Sequence, residues 1–347
     1  MGSVKDLEII QRPTEDVMGV GRFHFSDRYS IFDWGEMPDH IEDKGAALCL
    51  MGAYCFEKLE EEGVETHYRG LITKEGNLVR FEELDQPTDI MEFDMVNVIK
   101  PETRQENEKI KYDYNMFTPL LKNYLIPLEI IYRNSVPKGS SLLKRLSQGS
   151  ITIEELDLDH HPKAGERFQT PVFDVSTKLE EKDRYLTWKE AQEIAGLTSA
   201  EVNEVKNLLL KVDKLITRIA RKTYLENEDG KIELAFDPER KLIVVDVVGT
   251  LDECRFTYDG VSVSKEIARR YYRKTDWYKD VEEAKHRAED EGVKDWRTIC
   301  PSTPIKLPPS LIDTLRSLYV SASNELTGTR LFEAPTLSEI VEEIRET

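Results

Sequence analysis

Residues 242–248 read Leu-Ile-Val-Val-Asp-Val-Val, and this run constrains the fold more than any other stretch. Its apolar content asks for a buried strand. Asp246 interrupts it, and a carboxylate in a buried strand needs a partner or a metal. Residues 231–236 precede it through Asp237-Pro238-Glu239, so the two segments read as a strand pair. Glu233 and Asp246 then sit on opposite arms, where cross-strand neighbours approach within metal-bridging distance. Hard oxygen ligands of this kind suit Mg2+ on a nucleotide phosphate. Two solvated strand carboxylates are the plainer alternative, and Asp246, inside its apolar run, fits it less well.

The chain has 347 residues, about two domains at ~150 residues each. A chain this long buries roughly three quarters of its unfolded surface. No apolar run approaches the ~18 residues of a membrane-spanning helix, and residues 1–8 lack the basic and apolar regions of a signal peptide. A soluble, cytoplasmic protein is expected. The 67 acidic and 48 basic residues give a net charge of −19. That balance argues against a nucleic-acid partner and leaves room for a local basic pocket for a phosphorylated small molecule. Cys49, Cys55, Cys254 and Cys300 show no C-x-x-C spacing, so free thiols in a reducing compartment are expected.

The first third reads as short strands around one helix. Strands are expected at 21–25, 31–34, 66–71, 78–81 and 94–98, with a helix over 46–62 that stops at Gly63. Residues 101–114 read as a polar connector. Residues 128–132 form a buried strand, Gly139-Ser140-Ser141 opens a helix over 142–146, and a polar stretch runs to Pro171. Helices are expected at 187–195 and 199–227, the second amphipathic through Leu208, Val212, Leu215 and Ile219. Three more helices fall at 264–272, 280–291 and 308–326.

Other candidate residues are weaker singly. Arg133 ends a strand before a Gly-Ser turn, a pattern that can bind an anion or simply cap a helix. Arg255 follows Asp252 by three, and its fork suits phosphate or carboxylate; a surface Asp–Arg pair is the bland reading. Ser176-Thr177-Lys178 and Asp183-Arg184 lie on a polar loop, a common place for ligands. His67, His160 and His161 lack paired metal-ligand spacing, and no Gly-rich phosphate motif stands near the start.

Taken in order, these blocks resemble the phosphoribosylaminoimidazole-succinocarboxamide synthase (SAICAR synthetase) family. Residues 26–33, Ser-Asp-Arg-Tyr-Ser-Ile-Phe-Asp, look like its T-D-R-x-S-A-F-D; Asp43-Lys-Gly-Ala is similar to G-K-G-A, and Gly63-Val-Glu-Thr-His67 to G-I-P-T-H. Residues 127–146 resemble P-L-E-V-V-V-R-N-x-A-A-G-S-L-x-K-R-L. Residues 171–183 resemble P-x-x-x-x-T-K with a later H-D-E, and residues 231–233 and 246–256 resemble K-L-E and D-E-x-x-P-D-x-x-R. The tail, Leu307-Pro-Pro to Tyr319 and Leu326-Thr-Gly, is also similar.

The resemblance implies an α+β fold with a small β-rich lobe (1–124), a larger α+β lobe (125–263) and a C-terminal helical part (264–347) packed on the second lobe, with ATP between the lobes. It implies an ATP- and Mg2+-dependent ligase. ATP phosphorylates the carboxylate of carboxyaminoimidazole ribotide, and the amine of L-aspartate then attacks the acyl phosphate. By matching position, Glu233 and Asp246 hold Mg2+, and Lys231 and Arg22 the ATP phosphates. Leu125 lines the adenine. Arg133, Ser140, Ser141, Asp183, Arg255 and Asp33 face the ribotide and aspartate, and Lys178 and Asp252 are the catalytic pair. A homodimer is the assembly the resemblance suggests, with no membrane partner.

The sequence departs from the family at five places. Residues 1–20 show no G-K-x-R phosphate loop, so either Arg22 or Arg12 substitutes or ATP is held differently, and the spacer from Arg133 to Ser140 is one residue longer. Lys182-Asp183-Arg184 stands where the family has H-D-E, Val247 follows Asp246, and extra length falls chiefly after Gly260. A paralogous carboxylate–amine ligase and an inactive nucleotide-binding module are the competing readings.

Overall fold

The computed structural model describes residues 4–106, 109–137, 140–181, 183–293 and 295–346. The chain opens with β1 (Lys5–Gln11) and β2 (Gly19–Phe25), then α1 (Lys44–Glu61), β3 (Tyr68–Ile72), β4 (Leu78–Val79) and β5 (Ile90–Met95). The strands form an antiparallel sheet in the order β1-β2-β5-β3-β4. α1 is buried on most of its circumference, from Ala47 and Leu48 through Met51, Cys55, Phe56 and Leu59. Such a helix needs cover on more than one side. The sheet supplies one side and the C-terminal helices another. The Asp27 carboxylate accepts the Gly45 N–H at 3.0 Å, and a Cβ on Gly45 would lie 2.6 Å from the Phe25 carbonyl oxygen. Gly63, at φ 72°, ends the helix as expected.

A separate hairpin of β6 (Glu102–Glu106) and β7 (Lys109–Asp113) leads to the second lobe. There follow β8 (Tyr124–Leu125), β9 (Leu128–Ser135), α2 (Ser141–Ser147), β10 (Arg167–Thr177), β11 (Tyr185–Leu186), α3 (Trp188–Ile194), α4 (Ser199–Arg221), β12 (Leu225–Phe236), β13 (Leu242–Val245), β14 (Cys254–Tyr258) and β15 (Val261–Val263). The antiparallel sheet runs β11-β10-β9-β12-β14-β15, and β8 and β13 pair with the far end of β12. Side chains alternate across a strand, and in β9 and β12 the two faces differ sharply. Ile130, Tyr132, Ile232 and Leu234 join the core against α4. The other face is polar.

The chain ends with α5 (Glu266–Tyr272), α6 (Asp276–Glu291), a short turn at Trp296–Ile299, α7 (Pro309–Thr327) and α8 (Leu337–Glu346). α7 packs on α1 of the first lobe, while α5 and α8 meet β15 of the second. One core therefore runs through Phe56, Ile130 and Leu318. All four cysteines are free thiols. No helix among the described residues is long and apolar enough to cross a membrane.

Several local expectations change. Residues 31–34 form a turn, with Phe32 and Asp33 at φ 54° and 61°. Residues 101–114 hold the β6–β7 hairpin. The strand expected at 94–98 begins earlier and ends at Met95. β10 starts inside the supposed polar stretch, so Ser176 and Thr177 are buried strand residues. α4 stops at Arg221, and β12 takes over from Leu225. β1, β14, β15 and α8 go unmarked by sequence pattern alone. Gly139 and Lys182 lie outside the described residues.

Because backbone atoms of Phe25 and Ser26 crowd Gly45, Gly45→Ala should destabilise the fold by about 1–3 kcal/mol. A urea unfolding midpoint equal to wild type would remove this close approach from the account.

Candidate active site

The polar face of β10, β9 and β12 gathers the side chains that the sequence spreads over a hundred positions. Register places Asp229 opposite Arg133 and Lys231 opposite Ile131, and Ser176 opposite Glu129. Alternate residues therefore share this face: Glu129 and Arg133 on β9, Asp174 on β10, and Asp229, Lys231 and Glu233 on β12. Lys178, just past β10, joins them.

At one end Lys178 Nζ contacts Glu233 at 2.5 Å and Glu129 at 3.2 Å, and Lys231 Nζ contacts Glu129 at 2.9 Å. Glu233 pairs with Val245 across the hairpin, which sets Asp246 beside it. Burial and the neighbouring Asp246 charge push the Glu233 carboxyl up. Burial opposes the Asp246 charge too, but Lys5 and Lys178 outweigh it and hold that carboxyl down. Lys5, on β1, reaches Asp246 at 2.5 Å and lies over the Phe23 ring. Asp246 itself has φ 65°, a left-handed conformation uncommon outside glycine. His67 secures it: the imidazole is buried among Phe23, Phe56 and Phe93, and its Nε2–H donates to the Asp246 carbonyl at 3.2 Å.

Beside these charges lies an apolar cluster of Val96, Ala235, Ile243 and Val245, flanked by Met18 and Leu125 and separate from the main core. It sits where the lobes meet. Asn97 bridges to Tyr124, and the side-chain amides of Asn97 and Asn123 both donate to the Thr14 carbonyl at 2.7 Å.

At the other end three guanidiniums meet two carboxylates. Arg133 is only 2% exposed and bonds Asp174 at 2.9 Å, with Asp229 at 3.6 Å. Arg145 bonds Asp174 at 2.6 Å, and Arg255 takes Asp229 in a bidentate pair, with its Nε at 2.7 Å. Ser141 and Tyr185 share a hydrogen bond at 2.9 Å beside Arg133. Ser140 is buried, and its hydroxyl accepts the Leu142 N–H as the α2 cap.

Of the remaining expected residues, Asp252, Arg22 and Asp33 make their ion pairs elsewhere, while Asp183 lies within electrostatic reach of Glu129, Lys178 and Lys231. Asp252 is buried; its carboxylate takes Lys44 at 3.0 Å and Tyr319 at 2.7 Å, joining α1, the loop after β13 and α7. Burial works against that charge, yet Lys44 and Lys265 hold the carboxyl well below the usual range. Arg22 pairs with Glu92 on the first sheet at 3.0 Å. Asp183 is open to solvent on one side, but surrounding protein and the Glu129 charge push its carboxyl up to about 6, with a smaller push from Asp33. Asp33 pairs with Lys285 at 2.9 Å. Lys5, Asp174, Asp229, Arg145 and His67 are the partners that sequence reasoning left out. The alternation of Asp229, Lys231 and Glu233 along one strand was the legible signal for Asp229. Lys5 gave none, since its partner lies 241 positions away.

Glu233 and Asp246 fit a Mg2+ site by their chemistry. Among the described residues no three His, Cys, Asp or Glu side chains cluster as a metal cage. Mg2+ is commonly held by one or two carboxylates, with water and substrate phosphates completing its shell.

A family model described as SAICAR synthetase matches residues 13–285. A candidate phosphoribosylaminoimidazole-succinocarboxamide synthase of Archaeoglobus fulgidus is 50% identical, covering 100% of this chain and 99% of that one. The Thermoplasma acidophilum synthase of the same name is 34% identical over 88% and 92%. Among solved structures, the Saccharomyces cerevisiae SAICAR synthase complexed with SAICAR superposes with a TM-score of 0.63 at 20% identity, covering 95% and 94%. A SAICAR synthetase complexed with ADP gives 0.55 at 19%, covering 88% and 99%. The fold is that of the α+β SAICAR synthetases, which are ATP-dependent ligases. The chain belongs to the SAICAR synthetase family.

Burial holds the His67 imidazole down to about 4, so the unfolded chain, near 6.5, takes up the proton first as pH falls. His67 thus contributes stability that is fully present above about pH 6.5 and fades toward pH 4, a loss of about 3 kcal/mol. His67→Gln should unfold in urea with a shallower decline between pH 7 and pH 4. Parallel pH profiles for variant and wild type would sink this.

Proposed function

We propose that this chain joins carboxyaminoimidazole ribotide to L-aspartate, using ATP and Mg2+, to form SAICAR in the cytoplasm. The observation that carries the proposal is the single polar sheet face, with its lysine–carboxylate web at one end and its arginine cluster at the other. Two anionic substrates and a triphosphate need such neighbouring, separately charged ends.

In this reading the apolar cluster around Leu125 takes the adenine. Lys5, Lys178 and Lys231 neutralise the phosphates, with Lys5 reaching in from β1. Glu233 and Asp246 hold Mg2+, which when bound offsets phosphate charge. The ribotide phosphate meets Arg145, Arg255, Ser141 and Tyr185, with Arg133 backing them from below. Asp183 and Asp33 face the amine of aspartate. The γ-phosphoryl group passes to the ribotide carboxylate; the amine then displaces phosphate as the C–N bond forms. Holding both substrates in one cleft supplies much of the acceleration.

Coupled ADP release should require ATP, Mg2+, ribotide and L-aspartate together, with succinocarboxamide product seen by mass. Asp246→Asn should abolish that turnover while the fold survives. ADP release without aspartate-dependent product would overturn the substrate assignment, and an active Asp246→Asn would remove Asp246 from the metal role.

Arg255→Ala should raise KM for ribotide or aspartate at least about tenfold, since hydrogen bonds to charged groups contribute ~1.5–3 kcal/mol. Unchanged kinetics would mean that Arg255 serves only Asp229.

A further inference from the structure

The turn after Tyr29 carries Phe32 and Asp33, two consecutive non-glycine residues in the left-handed region, at φ 54° and 61°. A backbone like this persists only where its surroundings over-determine it. The turn closes on its own backbone, with the Trp34 N–H donating to the Ile31 carbonyl at 3.2 Å and the Met37 N–H to the Tyr29 carbonyl at 3.1 Å; its side chains are packed from beyond residue 263. The Phe32 ring lies 4.7 Å from Tyr278 and 6.2 Å from Trp277. The Trp34 ring meets Trp277 edge-on at 5.5 Å and Trp296 at 5.7 Å. Arg297 donates to the Trp34 carbonyl at 3.4 Å, and Tyr29 and Tyr272 share a hydrogen bond at 3.2 Å. Between these ring contacts the Asp33 carboxylate projects outward, 85% exposed, with Lys285 of α6 at 2.9 Å.

An ion pair so exposed holds little by itself. The turn's own hydrogen bonds shape the backbone, the rings fix where that turn sits, and Lys285 gives the carboxylate one direction. We propose that α5, α6 and the Trp296–Ile299 turn form a clamp that presents Asp33 to the acceptor substrate, with Tyr278 and Lys285 as positioning residues. This rests on the reading of Asp33 as substrate-facing. It gives the extra C-terminal length a task in the reaction rather than in stability alone.

The test uses the full chain and steady-state kinetics with each substrate varied in turn. Asp33→Asn keeps a residue type that tolerates the left-handed region and identifies which substrate Asp33 serves. Tyr278→Ala should raise KM for that same substrate about tenfold, the scale of a misplaced charge-assisted contact. KM for ATP and kcat should stay within about twofold, a split that a general loss of folding would not produce. Lys285→Met should shift the same KM in the same direction, and Tyr278→Phe should restore wild-type behaviour. If Asp33→Asn raises a KM while Tyr278→Ala and Lys285→Met leave it unchanged, the clamp is overturned and the Asp33 assignment stands. If Asp33→Asn changes nothing in an enzyme that makes SAICAR, both the Asp33 assignment and the clamp fall. If wild type makes no succinocarboxamide, the proposed function fails and the clamp's task falls with it.

Discussion

Arg133 is a full charge sealed from water at the centre of the second lobe. Burying an unpaired guanidinium is far costlier than burying a paired one, so the surrounding elements are arranged to keep it paired. Asp174 approaches from β10 and Asp229 from β12. Each acid is in turn shared with a second arginine, Arg145 and Arg255. The web fixes the register of three strands, because slipping β10 or β12 by one residue would turn its acid to the apolar face. That same register aligns Lys178, Lys231, Glu129 and Glu233 further along the sheet. The buried charges of the second lobe thus lie on one side of one sheet, the side that the proposed function gives to the substrates.

The lobes are joined by backbone as well as by side chains. Residues 65–67 bridge Val244 next to the hairpin, and His67 fixes the Asp246 carbonyl. Asn97 and Asn123 fasten the β1–β2 loop at the opposite end of the cleft. Between these ties lies the apolar slot. The apolar cluster of Val96, Ala235, Ile243 and Val245 is therefore bounded by backbone and side-chain ties at both ends.

Strong local signals were legible in the sequence. The Gly63 stop of α1, the buried strand from Leu128 and the start of α4 at Ser199 stand where pattern and capping put them; the strand of the apolar run ends at Val245, because Asp246 turns left-handed at φ 65°. Motif order carried the family. Elements whose stability comes from distant partners were not legible. β1 is short, charged and exposed, and only its pairing with β2 makes it a strand. Residues 101–114 are mostly polar because the hairpin of β6 and β7 stands outside both main sheets. Asp252 was legible by motif, but its partners Lys44 and Tyr319 were not, because they lie far from it in sequence. Ser140 was legible as a motif serine, yet its hydroxyl serves the helix it caps.

The wide burial of α1 also bears on the order in which the molecule can be completed. Its sheet is assembled from residues before position 96, so that side is covered early in synthesis. Its other cover, α7, begins only at Pro309. α4 and the loop after β13 cover part of α1 earlier, but the surface that α7 covers stays open to water while some two hundred and fifty further residues are added. Contacts so distant along the chain form slowly, and exposed apolar surface invites association in the meantime. The nascent first lobe is thus the stage at which this protein depends most on chaperones or on dilute conditions.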